Sequence, residues 1–451
     1  LGAGMLSGIS AQVSPLQVDT LKETKIPDQW DLQSCIDYAK EQNITIRKNR
    51  ITAVSTQIDV KTAKAALFPS LSFSTGHQVV NRPYQETSSR VSGSEIISSN
   101  SKTSYNGNYG LNASWTLYNG NKRLKTIQQE KLNNQMAELD VATSENNIQE
   151  SIAQVYIQIL YAAESVKVNE NTLQVSIAQR DRGQELLNAG SIAKSDLAQL
   201  EAQVSTDRYQ LVTAQATLED YKLQLKQLLE LDGENEMNIY LPALSDENVL
   251  APLPTKRDVY ISALSFRPEI EASKLNVEAS ELGINIAKSS YFPTISLSAG
   301  IGTNHTSGSD FTFGEQVKNG WNNSIGLSVS VPIFNNRQTK SAVQKAKLQY
   351  ETSMLSLLDE QKALYKTIES LWLDANSAQQ RYAAANEKLK STQISYELIS
   401  EQFNLGMKNT VELLTEKNNL LQAQQEQLQA KYMAILNTQL LKFYQGDQLA
   451  L

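Results

Sequence analysis

The protein has 451 residues, and its 41 Lys and Arg against 48 Asp and Glu give a formal net charge of −7. This balance argues against a nucleic-acid partner, because neutralising phosphates requires a basic face. With two histidines and one cysteine, a single copy cannot assemble a His/Cys metal cage or a disulfide framework. The hydrophobic fraction of 40% is low for a globular protein, so much of each element is expected to face water.

The first eleven residues resemble the end of a secretory signal peptide. Residues 1–11 are apolar and rich in small side chains, and a polar stretch follows them. An apolar start without a defined structure is the alternative. Cys35 lies too far downstream to be a lipid-attachment cysteine of this signal, and its helical context favours a buried structural thiol.

The rest of the chain contains two copies of one unit. Three motifs occur twice in the same order, and two of them share an offset of 216 residues, so the segment between those two keeps its length in both copies. The pairs are AKAALFPSLSFSTG at 63–76 with AKSSYFPTISLSAG at 287–300, WTLYNGNKRLKTIQQEKL at 115–132 with VPIFNNRQTKSAVQKAKL at 331–348, and LLNAGSIAKSDL at 186–197 with QFNLGMKNTVEL at 402–413.

Each copy is predicted to run helix, strand, loop, strand, very long helix, turn and helix. Proline is absent from two long runs and glycine is rare there, which permits helices of about 100 Å at 1.5 Å per residue. Copy one (12–232) is predicted to have helices at about 31–66, 121–188 and 192–231 and strands at 70–80 and 105–118. Copy two (258–451) is predicted to have helices at about 258–290, 338–404 and 409–444 and strands at 294–303 and 321–334. The Ser-, Asn- and Gly-rich segments 77–104 and 301–320 are predicted loops, and residues 233–257 are a predicted linker.

The long helices carry a narrow apolar seam. In the first long helix, apolar residues step by three, four or seven positions, as in a coiled coil, and polar residues surround them. This pattern suits a bundle, a rod or the wall of a hollow tube with water on both sides. The seam residues are Ile148, Ile152, Val155, Ile159, Val166, Leu173 and Ile177.

The strands favour a membrane barrel over a soluble sandwich. Apolar residues alternate with small, almost uncharged polar residues, and the strand lengths match the hydrocarbon thickness of a bilayer when the strands tilt. Aromatic residues that could form interfacial girdles mark these segments: Phe68, Tyr105, Trp115, Tyr118, Phe292, Trp321 and Phe334. Four strands cannot close a barrel alone, so several chains must share one, and three copies give twelve strands.

With these motifs the chain resembles the TolC family of outer-membrane efflux proteins over nearly its full length. The resemblance rests on the LFP and YFP helix-to-strand junctions, the LYNG and IFNN strand-to-helix junctions, and the NAGSIAKSDL and NLGMKNTVEL turns. It implies a mixed α and β membrane fold: a homotrimeric channel-tunnel with a shared 12-stranded barrel in the outer membrane, an α-helical barrel through the periplasm and a small equatorial region. The equatorial part would come from about 12–30, from the linker and from the end of the chain.

The resemblance also implies where function resides. The helix-to-helix turns would be periplasmic tips that meet an adaptor (membrane fusion) protein, which bridges to an inner-membrane transporter. Family gate positions correspond to Glu412 and to Thr415, where the family's second acid is replaced, and Lys408 with Asp196 would be a latch. The predicted adaptor-contacting residues are Asn188, Ala189, Gly190, Ser191, Asn404, Leu405, Gly406 and Met407.

The resulting prediction is a passive conduit of a tripartite efflux or type I secretion system. An enzyme is not expected, because the chain has no nucleophile elbow, P-loop or H-E-x-x-H motif, and no cofactor is implied. His77 and His305 lie in predicted loop or strand-edge segments, where a solvated histidine is the default. A soluble coiled-coil scaffold or adhesin stalk is the alternative; it would explain the helices but not the four uncharged strands.

Overall fold

The structure is a computed structural model that describes residues 27–84, 88–92, 95–99, 102–232, 237–242, 249–307, 309 and 311–449. The predicted signal remnant at 1–11, most of the predicted equatorial segment 12–30 and much of the linker lie outside the described residues. The chain divides into two compact units. Unit 1 comprises Leu1–Ala53, Ala137–Ala272 and Leu358–Leu451, and unit 2 comprises Val54–Met136 and Ser273–Leu357.

The elements follow one another in the order that the repeat predicts, with additions. The helices are α1 (Leu32–Gln42), α2 (Ile44–Ala65), α3 (Lys122–Asn188), α4 (Lys194–Leu228), α5 (Lys256–Phe266), α6 (Pro268–Ser289), α7 (Phe313–Asn319), α8 (Gln338–Asn404) and α9 (Thr410–Gln445). The strands are β1 (Ser70–Asn81), β2 (Ser88–Ser92), β3 (Glu95–Ser99), β4 (Thr103–Asn119), β5 (Thr294–Thr306) and β6 (Asn322–Ser330). The two longest helices, α3 and α8, have 67 residues each.

Two predicted helices are each divided into two. Between α1 and α2, the Asn43 side chain accepts a hydrogen bond from the Thr45 N–H at 2.9 Å, and its amide donates to the Leu228 carbonyl at 3.0 Å. Between α5 and α6, Arg267 adopts an extended conformation with φ −65° and ψ 124°, because the ring of Pro268 disfavours helical backbone in the residue before it. Pro268 itself begins α6, where its missing N–H costs no helical hydrogen bond.

The predicted loops contain regular structure. Strand β1 extends to Asn81 and β5 to Thr306, and β2 pairs with β3 in a separate two-stranded sheet. The short helix α7 begins at a capping box in which Thr312 and Glu315 satisfy each other's backbone N–H groups. The predicted strand 321–334 ends earlier, at Ser330, shortly before Pro332, which has no N–H to donate to a strand ladder.

Unit 2 is organised around a four-stranded antiparallel sheet in the order β1-β4-β5-β6. Its register places Leu71 beside Ala113, Ala113 beside Ala299, and Ala299 beside Ile325. The neighbouring row on the other face consists of small or polar residues: Ser72, Asn112, Gly300 and Ser324. The apolar face is open to solvent in the single chain, since Leu71 is 70% exposed and Ile325 is 79% exposed.

Unit 1 has the main hydrophobic core. Trp30 is 1% exposed, and its backbone forms a parallel bridge to Ile239 through hydrogen bonds with Asn238 and Tyr240, both 2.8 Å long. The Tyr156 hydroxyl donates to the Tyr240 carbonyl at 2.7 Å and so fixes this segment against α3. Cys35 is fully buried, and burial raises the pKa of its thiol to about 12, as suits a structural role.

The backbone repeats with the same offset as the sequence motifs. Among the described residues, those with left-handed backbone form four pairs separated by 216 positions: Gly120 with Asn336, Asn121 with Arg337, Gly190 with Gly406, and Glu230 with Gly446. Each pair stands at a strand-to-helix junction or at a helix C-terminus. Because left-handed backbone is costly for residues other than glycine, its recurrence at Asn336 and Arg337 indicates that the junction geometry imposes it.

Candidate gate at the helix turns

Two turns join long helices within unit 1, and their backbones are equivalent. We call Asn188–Ala193 the first turn and Asn404–Asn409 the second turn. In the first, Ser191 N donates to the Leu186 carbonyl at 2.8 Å; in the second, Met407 N donates to the Gln402 carbonyl at 2.9 Å. Gly190 and Gly406 both have φ of 75°. Each turn is therefore a Schellman motif that closes the preceding helix.

The predicted adaptor-contacting residues are exposed at both turns, but their chemistry differs. Asn188, Ala189, Gly190 and Ser191 present small and polar groups at the first turn. At the second turn, Leu405 is 67% exposed and Met407 is 64% exposed. The second turn thus presents two large apolar side chains, a feature that the first turn lacks.

The second turn leads into α9 through a complete capping box. Asn409 Oδ1 accepts from Glu412 N at 2.9 Å, and Glu412 Oε2 accepts from Asn409 N at 3.2 Å. The other carboxylate oxygen of Glu412 accepts from Lys408 Nζ at 2.6 Å. These hydrogen bonds, that from Lys408 first and that from Asn409 second, hold the pKa of Glu412 below its usual value of 4.5.

The first turn leads into α4 with only half of that arrangement. Asp196 Oδ2 accepts from the Ala193 N–H at 3.0 Å. Ala193 stands at the N-cap position, where its methyl group cannot accept a hydrogen bond from the first turn of α4. The same spacing of acid after glycine therefore supports two different local structures.

The predicted gate residues form contacts only within their own turns or helix, among the contacts that the structure describes. Lys408 of the second turn and Glu412 of α9 form an ion pair, with side chains 33% and 40% exposed. Asp196 accepts a hydrogen bond within its own turn. The predicted contact joins Lys408 to Asp196 of a neighbouring hairpin, so it concerns an assembly of several chains. Thr415 is exposed and donates its hydroxyl to the Val411 carbonyl at 2.7 Å.

A buried polar cluster in the same unit was not predicted. Lys417 of α9 donates from Nζ to Asp207 Oδ2 of α4 and to Ser176 Oγ of α3, and Ser176 Oγ donates to the same oxygen of Asp207. We call these three residues the buried triad. The Lys417 side chain is 4% exposed and that of Asp207 is 2% exposed. Burial holds the pKa of Lys417 below its usual value of 10.5, and the hydrogen bond to Asp207 opposes that shift.

Sequence periodicity gives no signal for the triad, because its members lie 31, 210 and 241 residues apart. The one available sign is a charged residue on an apolar seam: Lys417 falls between Leu413 and Leu420, which are both buried. A lysine in that position must find an anion or face water.

The predicted girdle aromatics all lie in unit 2, and most are exposed. Phe68, Phe292 and Phe334 next to the strand-helix junctions are 73%, 51% and 84% exposed, and Trp321 before β6 is 57% exposed. Tyr118 near the end of β4 is 36% exposed. Two others have polar contacts as well: Trp115 donates from Nε1 to the Leu67 carbonyl at 2.7 Å, and Tyr105 bonds to His77.

Both histidines of the chain contact the same tyrosine. The Tyr105 hydroxyl and His77 Nδ1 are 2.6 Å apart with their rings stacked, and the His305 ring meets Tyr105 edge-on at 5.8 Å between centroids. Both lie within strands, His77 in β1 and His305 in β5. His77 is exposed, in agreement with the prediction of a solvated histidine, whereas His305 is half-buried in an aromatic cluster that Phe313 of α7 completes.

No helix within the described ranges is both long and apolar enough to cross a bilayer.

Comparison with known proteins identifies the family. A family model described as "Outer membrane efflux protein" matches residues 35–230 and 259–446. The outer membrane efflux protein BepC of Brucella suis is 24% identical over 294 residues, which cover 65% of this chain and 61% of BepC. Outer membrane protein TolC of Escherichia coli is 24% identical over 294 residues, which cover 63% of this chain and 58% of TolC. The chain thus spans about three fifths of the length of these relatives.

The fold is also that of CusC, a protein solved in a study of folding and transmembrane channel formation. A crystal structure of CusC superposes with a TM-score of 0.78 at 19% identity and covers 92% of each chain. This likeness confirms the predicted mixed α and β, TolC-like fold. The names of the relatives agree with the predicted outer-membrane location, and a family of efflux channels agrees with the expectation that the protein is not an enzyme. The chain belongs to the outer membrane efflux protein family.

Proposed function

We propose that three copies of this chain form one outer-membrane channel that exports molecules delivered by an inner-membrane pump, and that the channel is gated at the helix turns. The observation that carries the proposal is the open four-stranded sheet of unit 2, which has an exposed apolar face. Members of the family form trimeric channels that work with adaptor proteins and inner-membrane pumps. Drug efflux and type I secretion are both compatible with such a conduit.

The sheet supports assembly because it is incomplete in one chain. Within the described residues, β1 pairs with β4 and β6 pairs with β5, so β1 and β6 are edge strands. An exposed edge is a template for pairing with another chain. A membrane barrel requires about eight strands or more, and three copies of this sheet supply twelve.

The two faces of the sheet suit lipid on one side and water on the other. On β6, Ile325, Leu327 and Val329 are 79%, 65% and 59% exposed. They alternate with Ser324, Ser328 and Ser330, whose hydroxyl groups suit a water-filled lumen. Apolar side chains exposed in such a row are costly in water, and a lipid environment removes that cost.

The second turn supplies the charges for a gate. Three Glu412 carboxylates that meet around a threefold axis would repel one another and hold cations. In that assembly, Lys408 would exchange its present partner, Glu412, for Asp196 of a neighbouring hairpin and so latch the closed state. Two observations support this exchange: Lys408 already forms an ion pair at this turn, and its side chain is one-third exposed and so accessible to a second chain.

The exposed turns are the proposed contact for a periplasmic adaptor. Leu405 and Met407 would be buried on binding, and the small residues of the first turn would permit close approach. Because the apolar pair occurs only at the second turn, substitutions there are expected to weaken adaptor binding more than substitutions at the first turn.

A pair of substitutions on one strand tests the proposed function. Leu327→Arg places a charge on the proposed lipid face, where it costs about 2–4 kcal/mol near the bilayer midplane, whereas Ser328→Arg places the same charge on the proposed lumen face. Expressed with a signal sequence, the wild-type protein and Ser328→Arg should fractionate with the outer membrane as trimers, and Leu327→Arg should not. Recovery of the wild-type protein as a soluble monomer, as a coiled-coil scaffold would give, would contradict the proposal.

A further inference from the structure

The buried triad ties three helices together. Ser176 lies on α3 before the first turn, Asp207 lies on α4 after it, and Lys417 lies on α9. The second oxygen of Asp207 accepts from Gln203 Nε2 at 2.9 Å, so both carboxylate oxygens have partners. Each bond from Lys417 is directional and is shielded from water, and therefore fixes the position of α9 against the α3–α4 hairpin.

Stability alone does not account for a pair of this kind. Removing two charges from water costs about as much as their attraction returns, and apolar residues of similar volume often pack at least as well. A buried ion pair is therefore weak evidence for stability, and its best-attested use is to specify one arrangement among several. In this chain, the arrangement that the triad can specify is that of α9 against the α3–α4 hairpin.

The internal repeat provides a comparison within the same molecule. At the offset of 216, Ser176 corresponds to Thr392, Asp207 to Ala423 and Lys417 to Glu201. Ala423 is fully buried and Glu201 is exposed, so the equivalent set of positions holds no buried ion pair. The repeated helices and turns therefore occur with these charges at one set of positions and without them at the other.

The triad also lies near the gate. Lys417 follows Glu412 by five positions on α9, which is about 8 Å along the helix axis. The segment between them includes Thr415 and has no other buried charge among the residues described. Any displacement of Glu412 must therefore be accommodated between this fixed point and the second turn.

From this geometry we propose that Ser176, Asp207 and Lys417 are positioning residues for the gate: they anchor α9 to the α3–α4 hairpin and confine opening to the part of α9 on the turn side of Lys417. The inference rests on the proposed function, because it concerns the gate of that channel. The directional bonds limit how far the start of α9, and with it Glu412, can move, so their loss is expected to loosen the closed gate.

The test separates positioning from packing. Lys417→Met leaves Asp207 buried without its cation, whereas Asp207→Leu combined with Lys417→Met removes both charges and retains apolar volume. Closed-level conductance in planar bilayers and the melting temperature of the trimer are measured for both variants. Lys417→Met should lower the melting temperature and raise the closed-level conductance at least about two-fold. The double variant should recover the melting temperature but keep the raised conductance.

Two substitutions serve as matched controls. Glu201→Met changes the residue that corresponds to Lys417 in the first copy, and Lys388→Met breaks an exposed ion pair with Glu426. Both should leave the closed-level conductance at the wild-type value. If Lys417→Met forms too little trimer to measure, the double variant still carries the test.

The outcomes distinguish the two levels of the account. A double variant with wild-type closed-level conductance would show that packing alone holds the gate, and would overturn the inference while leaving the channel intact. Wild-type protein that forms trimers but conducts no ions would instead overturn the proposed function. If Glu201→Met raised the closed-level conductance as much as the double variant does, the effect would not be specific to the buried triad, and this would also count against the inference.

Discussion

The first and second turns have the same backbone and different side chains. Both close a long helix with a Schellman motif around a glycine at φ 75°, and both place an acid six positions later. The second turn adds an N-cap asparagine, an ion pair from Lys408 to Glu412 and two exposed apolar residues. The first turn has an alanine at the N-cap and no basic residue at the position of Lys408, which is Ile192.

In this duplicated unit, the backbone is the same in both copies, and the side chains proposed to gate the channel occur in only one. The shared backbone keeps the helices in register, while the added charges of the second turn provide groups that can gate. The buried triad is a second case in which equivalent positions carry different side chains. Two of its members belong to the first copy and one to the second. Changes at equivalent positions should therefore have equal effects where the backbone is tested and unequal effects where side chains are tested.

The largest unequal effect is expected at the triad. Lys417→Met leaves a buried carboxylate without its cation, which should lower the free energy of unfolding by about 3–5 kcal/mol. Glu201→Met, at the equivalent exposed position, should change it by less than about 0.5 kcal/mol. Urea unfolding of the detergent-solubilised protein, followed by circular dichroism, measures both. Similar losses in the two variants would contradict the assigned asymmetry.

An equal effect is expected at the two glycines. Gly190→Ala and Gly406→Ala each force a left-handed conformation on a residue with a Cβ, at a cost of about 1–2 kcal/mol. Neither Cβ would clash with a neighbour, so the cost is conformational and should be the same at both turns. Equal urea midpoints for the two variants would support the equivalence of the turns. Midpoints that differ by more than the error of the wild-type measurement would contradict it.

The N-caps should respond in opposite directions. Asn409→Ala removes the acceptor for Glu412 N and should cost about 1 kcal/mol, whereas Ala193→Asn supplies the acceptor that the first turn lacks and should gain about 0.5–1 kcal/mol. Thermal melts of the two variants give the sign of each change directly. A loss of stability in Ala193→Asn would show that the first turn excludes a capping side chain.

The smallest effect is expected from pH at the second turn. Because the folded-state pKa of Glu412 lies below its usual value of 4.5, the stabilisation from this carboxylate is complete above pH 4.5 and is lost as the pH falls through the lowered pKa. The melting temperature of the wild type should therefore fall slightly below pH 4.5. Glu412→Gln should lack this stabilisation already at pH 7 and show a weaker dependence of the melting temperature on pH; an identical pH profile in both proteins would show that Glu412 does not cause it.

Local patterns in the sequence predicted the elements that depend on local physics. The apolar alternation of 105–118 lies within β4, and the glycine spacing placed both turns correctly. Periodicity did not predict the break at Asn43, because the amide of that side chain is held by the carbonyl of Leu228, far away in the chain. It also did not predict β2, β3 and α7, since short polar segments have no apolar period to read.

The candidate site was predictable only in its local part. Lys408 and Glu412 lie four positions apart across the N-terminus of α9, so their proximity follows from the sequence. The buried triad and the contacts of His77 and His305 with Tyr105 depend on which helices and strands become neighbours. That information resides in the packing of the whole unit, and the repeat indicates only where to look for equivalent positions.

The most direct test of the account is single-channel recording of the purified protein and of Lys408→Met in planar bilayers. The account predicts a trimer with a low closed-level conductance that rises when Lys408 is neutralised, and no change for Ile192→Met at the equivalent position of the first turn. Wild-type protein that does not conduct, or an unchanged closed level in Lys408→Met, would contradict a gated trimeric channel with its latch at the second turn.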